Sequence, residues 1–266
     1  YCGEWIESHA LHVYLLHAPD FLGYESAIAM AASPELRPIV ERGLRMKKIG
    51  NELLGLIGGR EVHPISACVG GFYRAPKHRE LLGLKEDLEW GLKAAIDTVA
   101  WTAGLAFPDF APDYEHVALC HPDEYPMNEG RVVSSKGLDI QMEAFEAHFI
   151  EEHVAHSNAL HARLANGGSY QVGPMARVNL NLDRLSPKAK EAMRKSGLEF
   201  PNNNPFLSIV ARSLELVHVF EESLWLIDAY EEPVPSRMPV SPLGGEGGYV
   251  TEAPRGMLYH RYVLDE

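Results

Sequence analysis

Three short segments gather residue types that can do chemistry. His17-Ala-Pro-Asp20-Phe-Leu-Gly23 sets a carboxylate just past a proline bend. Read locally, Asp20 caps a helix that begins at Phe21. Read chemically, it is an acid held at a bend so that it can orient a cation. Gly58-Gly-Arg-Glu-Val-His63-Pro64, followed by Gly70-Gly71, flanks a His-Pro step with paired glycines. Such pairs either end helices or let backbone pack closely against a neighbour. No G-x-G-x-x-G run is present, which disfavours a dinucleotide site. In Glu252-Ala-Pro254-Arg255-Gly256, proline fixes the backbone on one side and glycine removes a side chain on the other, an arrangement that aims a guanidinium. The plainer reading is a surface arginine in a turn. A fourth group, His148, Glu151, Glu152, His153, His156 and His161, falls in a stretch of helical composition, where Glu152 and His156 are i,i+4 neighbours. It lacks H-E-x-x-H, and a polar interface is the favoured reading.

The elements that must carry these residues read mostly as helices. Glu4 to His17 has helical composition, with Pro19 expected to end or kink it. Ser33-Pro34-Glu35 reads as an N-cap, first-turn proline and first-turn acid, opening a helix that Gly58-Gly59 closes. A second long helix is expected over 78–105, a third over 143–164, a capped one from Ser186-Pro187 to Gly197, and an apolar one over 206–229. Short strands are expected at Val117–Leu119 and Arg131–Ser134. Residues 231–248 hold four prolines and four glycines and read as an irregular loop, ahead of a strand-like end from Tyr249 to Asp265. The class is α+β, predominantly α-helical, with a long-helix bundle core and smaller α+β portions. Residues 1–266 read as one cooperative unit.

Composition narrows the function. Lys and Arg number 24 against 37 Asp and Glu, a net charge of −13. That sign opposes nucleic-acid binding and docking on anionic lipid. No run approaches the roughly 18 apolar residues of a membrane span. Cys2, Cys68 and Cys120 lie far apart without a C-x-x-C pair, which disfavours a disulfide framework and a structural zinc site. The chain opens at Tyr1 without Met and stops inside a strand-like alternation, so both ends read as cuts through a longer protein.

Taken together, these segments resemble the large (α) subunit of nickel–iron hydrogenases, in the cytoplasmic, pyridine-nucleotide-linked or sulfhydrogenase-type branch. The resemblance covers essentially the whole chain. It is carried by Glu7-Ser-His9-Ala-Leu-His12 with His17-Ala-Pro-Asp20, Gly58-Gly-Arg-x-x-His63-Pro, Gly173-Pro174-Met-Ala-Arg177 and Glu252-Ala-Pro-Arg255-Gly. Asp123-Glu-Tyr-Pro and Asn128-Glu-Gly-Arg131 match that branch as well. The resemblance implies a catalytic subunit that splits H2 reversibly and heterolytically at a Ni–Fe centre carrying CO and cyanide, with Mg among the further implied metals. It implies an iron–sulfur small subunit, flavin- or NAD(P)-linked electron-transfer subunits and a cytoplasmic location. Arg255 maps to the arginine suspended over the open nickel position, and Asp20 to its carboxylate partner. Pro254 lines the same pocket, with His17, His63 and Glu252 around it. Whether Arg255 is itself the base stays open, because guanidinium is almost never deprotonated and a metal-bound thiolate is a rival. The family's C-G-x-C and D-P-C-x-x-C motifs are absent, so no metal ligand is expected in this segment, which reads as an internal fragment inactive alone. Two alternatives remain: a metal-free relative resembling the quinone-side subunit of respiratory complex I, and a stand-alone helical metal-binding protein using His148, Glu152 and His156.

Overall fold

A computed structural model describes residues 1–241 and 243–265; Pro242, inside the expected loop, and Glu266 lie outside the described residues. Helix α1 (Cys2–Leu11) runs directly into a π-helical turn (His12–His17) and then α2 (Ala18–Leu22). Pro19 does not end this helix. It sits in the first turn of α2, and the Ala18 N–H reaches back five residues to the Val13 carbonyl. The wider turn absorbs the bond that Pro19 cannot donate. The stop comes instead at Gly23, in left-handed conformation with φ 74°. Asp20 therefore lies inside α2, not as a cap before Phe21. After α3 (Ala27–Ala31), α4 (Arg37–Gly58) begins one turn later than Ser33 suggests. A helix from Pro34 would need an N–H from Pro38, which has none. Gly59 closes α4 with φ 76°. A small hairpin, β1 (Ala67–Cys68) and β2 (Gly71–Phe72), follows. The helix expected over 78–105 is divided near Gly83 into α5 (His78–Leu82) and α6 (Lys85–Ala103).

The middle of the chain is a meander of β3 (Val117–Cys120), β4 (Arg131–Ser134) and β5 (Asp139–Ile140), all antiparallel, with Leu119 opposite Val132. The helix expected over 143–164 is not formed. A 3-10 turn (Met142–Ala144) leads into α7 (Phe145–His148), a single turn, and β6 (Phe149–Glu152) then pairs with β7 (His161–Leu164). The cause is aromatic packing: Phe145 stacks on Tyr259 with centroids 4.4 Å apart, and Phe149 meets Tyr170 edge-on at 5.2 Å. Contacts between distant segments outweigh the helix propensity of the Glu, Ala and His between them. Glu152 pairs with Arg163 across the hairpin at 3.3 Å, not with His156 as a helix neighbour.

Next come α8 (Pro174–Leu180), α9 (Pro187–Ser196), whose expected bounds hold although the Ser186 hydroxyl makes no capping bond and Glu221 Oε2 accepts the Lys188 N–H at 2.9 Å, and α10 (Ser208–Ala229). The irregular segment ends at Gly244, earlier than expected, because β8 (Gly245–Ala253) and β9 (Gly256–Leu264) form one long hairpin. Contacts divide the chain into two compact units: Tyr1–Pro108 with Ser186–Glu199 and Ile209–Pro242, and Asp109–Leu185 with Phe200–Ser208 and Leu243–Glu266.

The first unit is a helical bundle. Helix α10 is buried all round from Ser213 to Phe220, as expected for its core helix. Each fully buried Leu, Val or Phe there contributes about 1.5–3 kcal/mol. A wholly buried ion pair, His9 Nε2 to Glu215 Oε2 at 2.7 Å, links α1 to α10. Helices α1 and α4 cross so closely that a Cβ on Gly50 would lie 2.6 Å from the Glu7 nitrogen. The second unit buries Val117, Leu119, Val132, Phe149, Leu164 and Val250. Among the described residues, no helix is long and apolar enough to cross a membrane.

Candidate functional site

In the second unit the Glu252–Gly256 segment is the tip of the β8–β9 hairpin. Ala253 faces Gly256, so Pro254 and Arg255 form a two-residue turn. Glu252 is fully buried. Its Oε1 accepts the Leu119 N–H at 2.9 Å, and its own N–H donates to the Met127 carbonyl at 2.7 Å. Its Oε2 accepts from Arg177 Nη1 at 2.9 Å. Arg177, also fully buried on α8, donates further to the carbonyls of Ala253 at 2.9 Å and Pro254 at 2.8 Å. Asn181, one turn on, donates to the Leu119 carbonyl at 3.0 Å. Side chains thus satisfy the outward edge of β3 at Leu119, where a further strand would otherwise pair.

This framework fixes the turn and leaves Arg255 outside it. Pro254 is buried; the Arg255 side chain is exposed and makes no hydrogen bond or ion pair within its unit. Its backbone is pinned: a Cβ on Gly173, which has φ 87°, would lie 2.5 Å from the Arg255 carbonyl oxygen. Gly173 precedes Pro174 at the start of α8, so the Gly-Pro pair opens a helix and makes room for the turn together. Arg255 is an exposed positive charge carried on a pinned backbone.

In the first unit, Asp20 is exposed on α2, and its carboxylate has no hydrogen bond or ion pair within that unit. His17 is half-buried one turn before. Its Nε2 lies 3.0 Å from His12 Nε2, while its Nδ1 is buried without a partner. Burial, then the charge of Arg212, depress the His17 pKa to about 4, against the opposing pull of Asp20. It is therefore neutral near pH 7. His63 is exposed, in left-handed conformation with φ 53°, and its carbonyl accepts from Arg60 Nε at 3.1 Å. The glycine pairs near it do pack closely: Gly70 and Gly71 lie against 236–238, where Met238 N–H donates to the Gly70 carbonyl and Phe72 N–H to that of Ser236, both at 2.9 Å. The structure thus brings Glu252, Pro254 and Arg255 together in one unit, and His17 and Asp20 together in the other.

The donor set for a thiolate-held metal centre does not fit these residues. All three cysteines are free; Cys2 opens α1, Cys68 ends β1 and Cys120 ends β3. Burial raises the thiol pKa of both Cys2 and Cys120, which favours the protonated form over a ligating thiolate. Among the described residues, one group has ligand spacing, His121, Glu124 and Glu129. His121 Nδ1 there accepts the Asp123 N–H at 3.2 Å, leaving the neutral ring's proton on Nε2. His148, Glu152 and His156 form no such group, against the helical metal-site alternative.

Arg177 is the residue that motif reading undervalued. Gly173-Pro-Met-Ala-Arg177 is visible in the sequence, but the motif-based site took Arg255, Asp20, Pro254, His17, His63 and Glu252 and left Arg177 out. The available signal was a lone arginine at the end of an otherwise apolar run.

No family model matches the chain. It is 33% identical over 269 residues to the alpha subunit of sulfhydrogenase 1 from Pyrococcus furiosus, covering 100% of this chain and 62% of that protein. It is 28% identical over 306 residues to a vhu subunit of the F420-non-reducing hydrogenase from Methanococcus voltae, covering 99% and 69%. Among solved structures, an NAD+-reducing [NiFe]-hydrogenase in the H2-reduced state superposes with a TM-score of 0.82 at 24% identity, over 99% of this chain and 64% of that one. The Ni-Fe-Se hydrogenase of Desulfovibrio vulgaris Hildenborough follows the same fold, with a TM-score of 0.67 at 20% identity, over 99% and 67%. The chain thus spans about three fifths of the two P. furiosus sulfhydrogenase proteins it matches, at 62% and 61%.

Proposed function

We propose, from the premise that the homologues of this chain are large (α) subunits of hydrogenases, sulfhydrogenase-type and F420-non-reducing, that its parent protein is the catalytic subunit of a nickel–iron hydrogenase. The observation that carries the reading is the similarity to such large subunits along the whole chain, with the Glu252–Gly256 motif forming a braced turn. The reaction is reversible cleavage of H2 into two protons and two electrons. The Ni–Fe centre, with its CO and cyanide ligands and an accompanying Mg ion, is held from outside these 266 residues.

The contribution of this chain is charge and shape. Arg255 supplies a cation on a pinned backbone, and Asp20 is the carboxylate that the family resemblance gives as its partner. A fixed charge stabilises separating charge better than mobile water does. Pro254 shapes the same wall. Neutral His17 lies one turn from Asp20, and His63 is a further residue that the resemblance gives to the pocket. The electrons leave through an iron–sulfur small subunit toward flavin- or NAD(P)-linked subunits, in the cytoplasm. The 266 residues unfold as one cooperative unit.

The test is Arg255→Lys in the full-length protein with its partner subunits, assayed by H2-dependent dye reduction and metal analysis. Turnover falls well over tenfold, which is about 1.4 kcal/mol in the barrier, while nickel and iron content stay normal. Unchanged turnover removes Arg255 from the mechanism.

A further inference from the structure

We propose that Arg177 is a positioning residue: it holds the Pro254–Arg255 turn in one orientation, and its buried ion pair with Glu252 serves that task rather than stability. The inference rests on the assignment of Arg255 to the reaction.

The turn needs outside help. Two-residue hairpins close best with both central residues at positive φ. Pro254 is locked near −65° by its ring. Among the described non-glycine residues only His63 has positive φ, so Arg255 does not supply it either. Proline also has no N–H to give. Arg177 contributes the missing donors from behind, with Nη1 on the Ala253 carbonyl and Nη2 on the Pro254 carbonyl, at 2.9 and 2.8 Å. Glu252, which stands next to the turn on β8, neutralises the buried guanidinium at 2.9 Å and is anchored to β3 through Leu119. The planar fork links carboxylate and turn as one rigid body, and a single-point ammonium cannot do so. Stability is a poor explanation for the pair, because buried ion pairs replaced by apolar groups are often neutral or stabilising.

The test uses two variants of the full-length, metal-loaded protein, Arg177→Lys and the double variant Arg177→Met with Glu252→Leu. Lysine keeps the charge opposite Glu252 and loses the fork; the double variant removes both charges. In both, amide hydrogen exchange at position 252, whose N–H donates to the Met127 carbonyl, and at Gly256 rises at least tenfold, while exchange in α10 is unchanged. In both, turnover falls at least tenfold with the KM for H2 unchanged. Unchanged exchange at the turn in both variants overturns the proposal. Global unfolding of both overturns it too, since that is the signature of a purely structural pair. Faster exchange at the turn with unchanged turnover supports the brace and counts instead against Arg255 in the reaction.

Discussion

Glu252→Gln is the sharpest perturbation of the framework under the turn. The wild-type carboxylate accepts at both oxygens, from the Leu119 N–H and from Arg177 Nη1, each at 2.9 Å. A glutamine has one acceptor oxygen for two donors. In one orientation its amide N–H faces the Leu119 N–H; in the other it faces the guanidinium. Both side chains are fully buried, so water cannot take the vacant position. The variant takes the Glu252 charge away from a buried arginine, and removing one partner of a buried pair costs about 3–5 kcal/mol. That is a large share of the roughly 5–15 kcal/mol a folded domain has. Urea unfolding of the 266-residue chain, followed by circular dichroism, measures the difference directly. The midpoint falls by an amount equivalent to at least 3 kcal/mol at an unchanged slope. A loss under about 1 kcal/mol would show that the pair is solvated or dispensable, and the argument for a desolvated brace would fail.

Two further outcomes follow from the first unit. His218 is buried, its Nδ1 accepts the Ser186 N–H at 3.1 Å, and burial above all lowers its pKa from 6.5 to about 4, against the opposing charge of Glu215. The unfolded chain takes up this proton at higher pH than the folded one, so stability falls as pH drops from 6.5 to 4, by about 3 kcal/mol. His218→Asn keeps an acceptor and cannot be charged; its plot of unfolding free energy against pH is flatter over that window, and an unchanged slope refutes the assignment. Gly50→Ala forces α1 and α4 apart, since its Cβ would sit 2.6 Å from the Glu7 backbone. A loss of about 1–3 kcal/mol in thermal or urea unfolding is expected, and an unaffected midpoint contradicts the close crossing.

What could be read from the sequence was what local chemistry decides. The bounds of α9 were legible because Pro187 suits a first helical turn and Gly197 takes the left-handed stop, both local effects, while the Ser186 hydroxyl makes no capping bond. The Glu252–Gly256 turn was legible because proline and glycine constrain backbone wherever they occur. Residues 143–164 were not, since Phe149 pairs with Leu164 and Phe145 stacks on Tyr259, contacts that no helical period encodes. The start of α4 was misread because the Ser33 cap signal was weighed without the veto of Pro38. The Arg177–Glu252 pair escaped notice for a different reason. Its members lie 75 residues apart, and nothing in either segment names the other.

The central proposal is that Arg255 takes part in H2 cleavage by the parent protein, and that Asp20, which the family resemblance gives as its carboxylate partner, acts through it. The most direct measurement is a double-mutant cycle on H2 turnover in the metal-loaded, full-length protein, comparing Asp20→Asn, Arg255→Lys and the pair together. If the two act jointly, the double variant is no slower than Arg255→Lys alone, because the carboxylate acts only through the guanidinium. If the two losses multiply, the residues work independently, and the account of a carboxylate-oriented arginine is wrong.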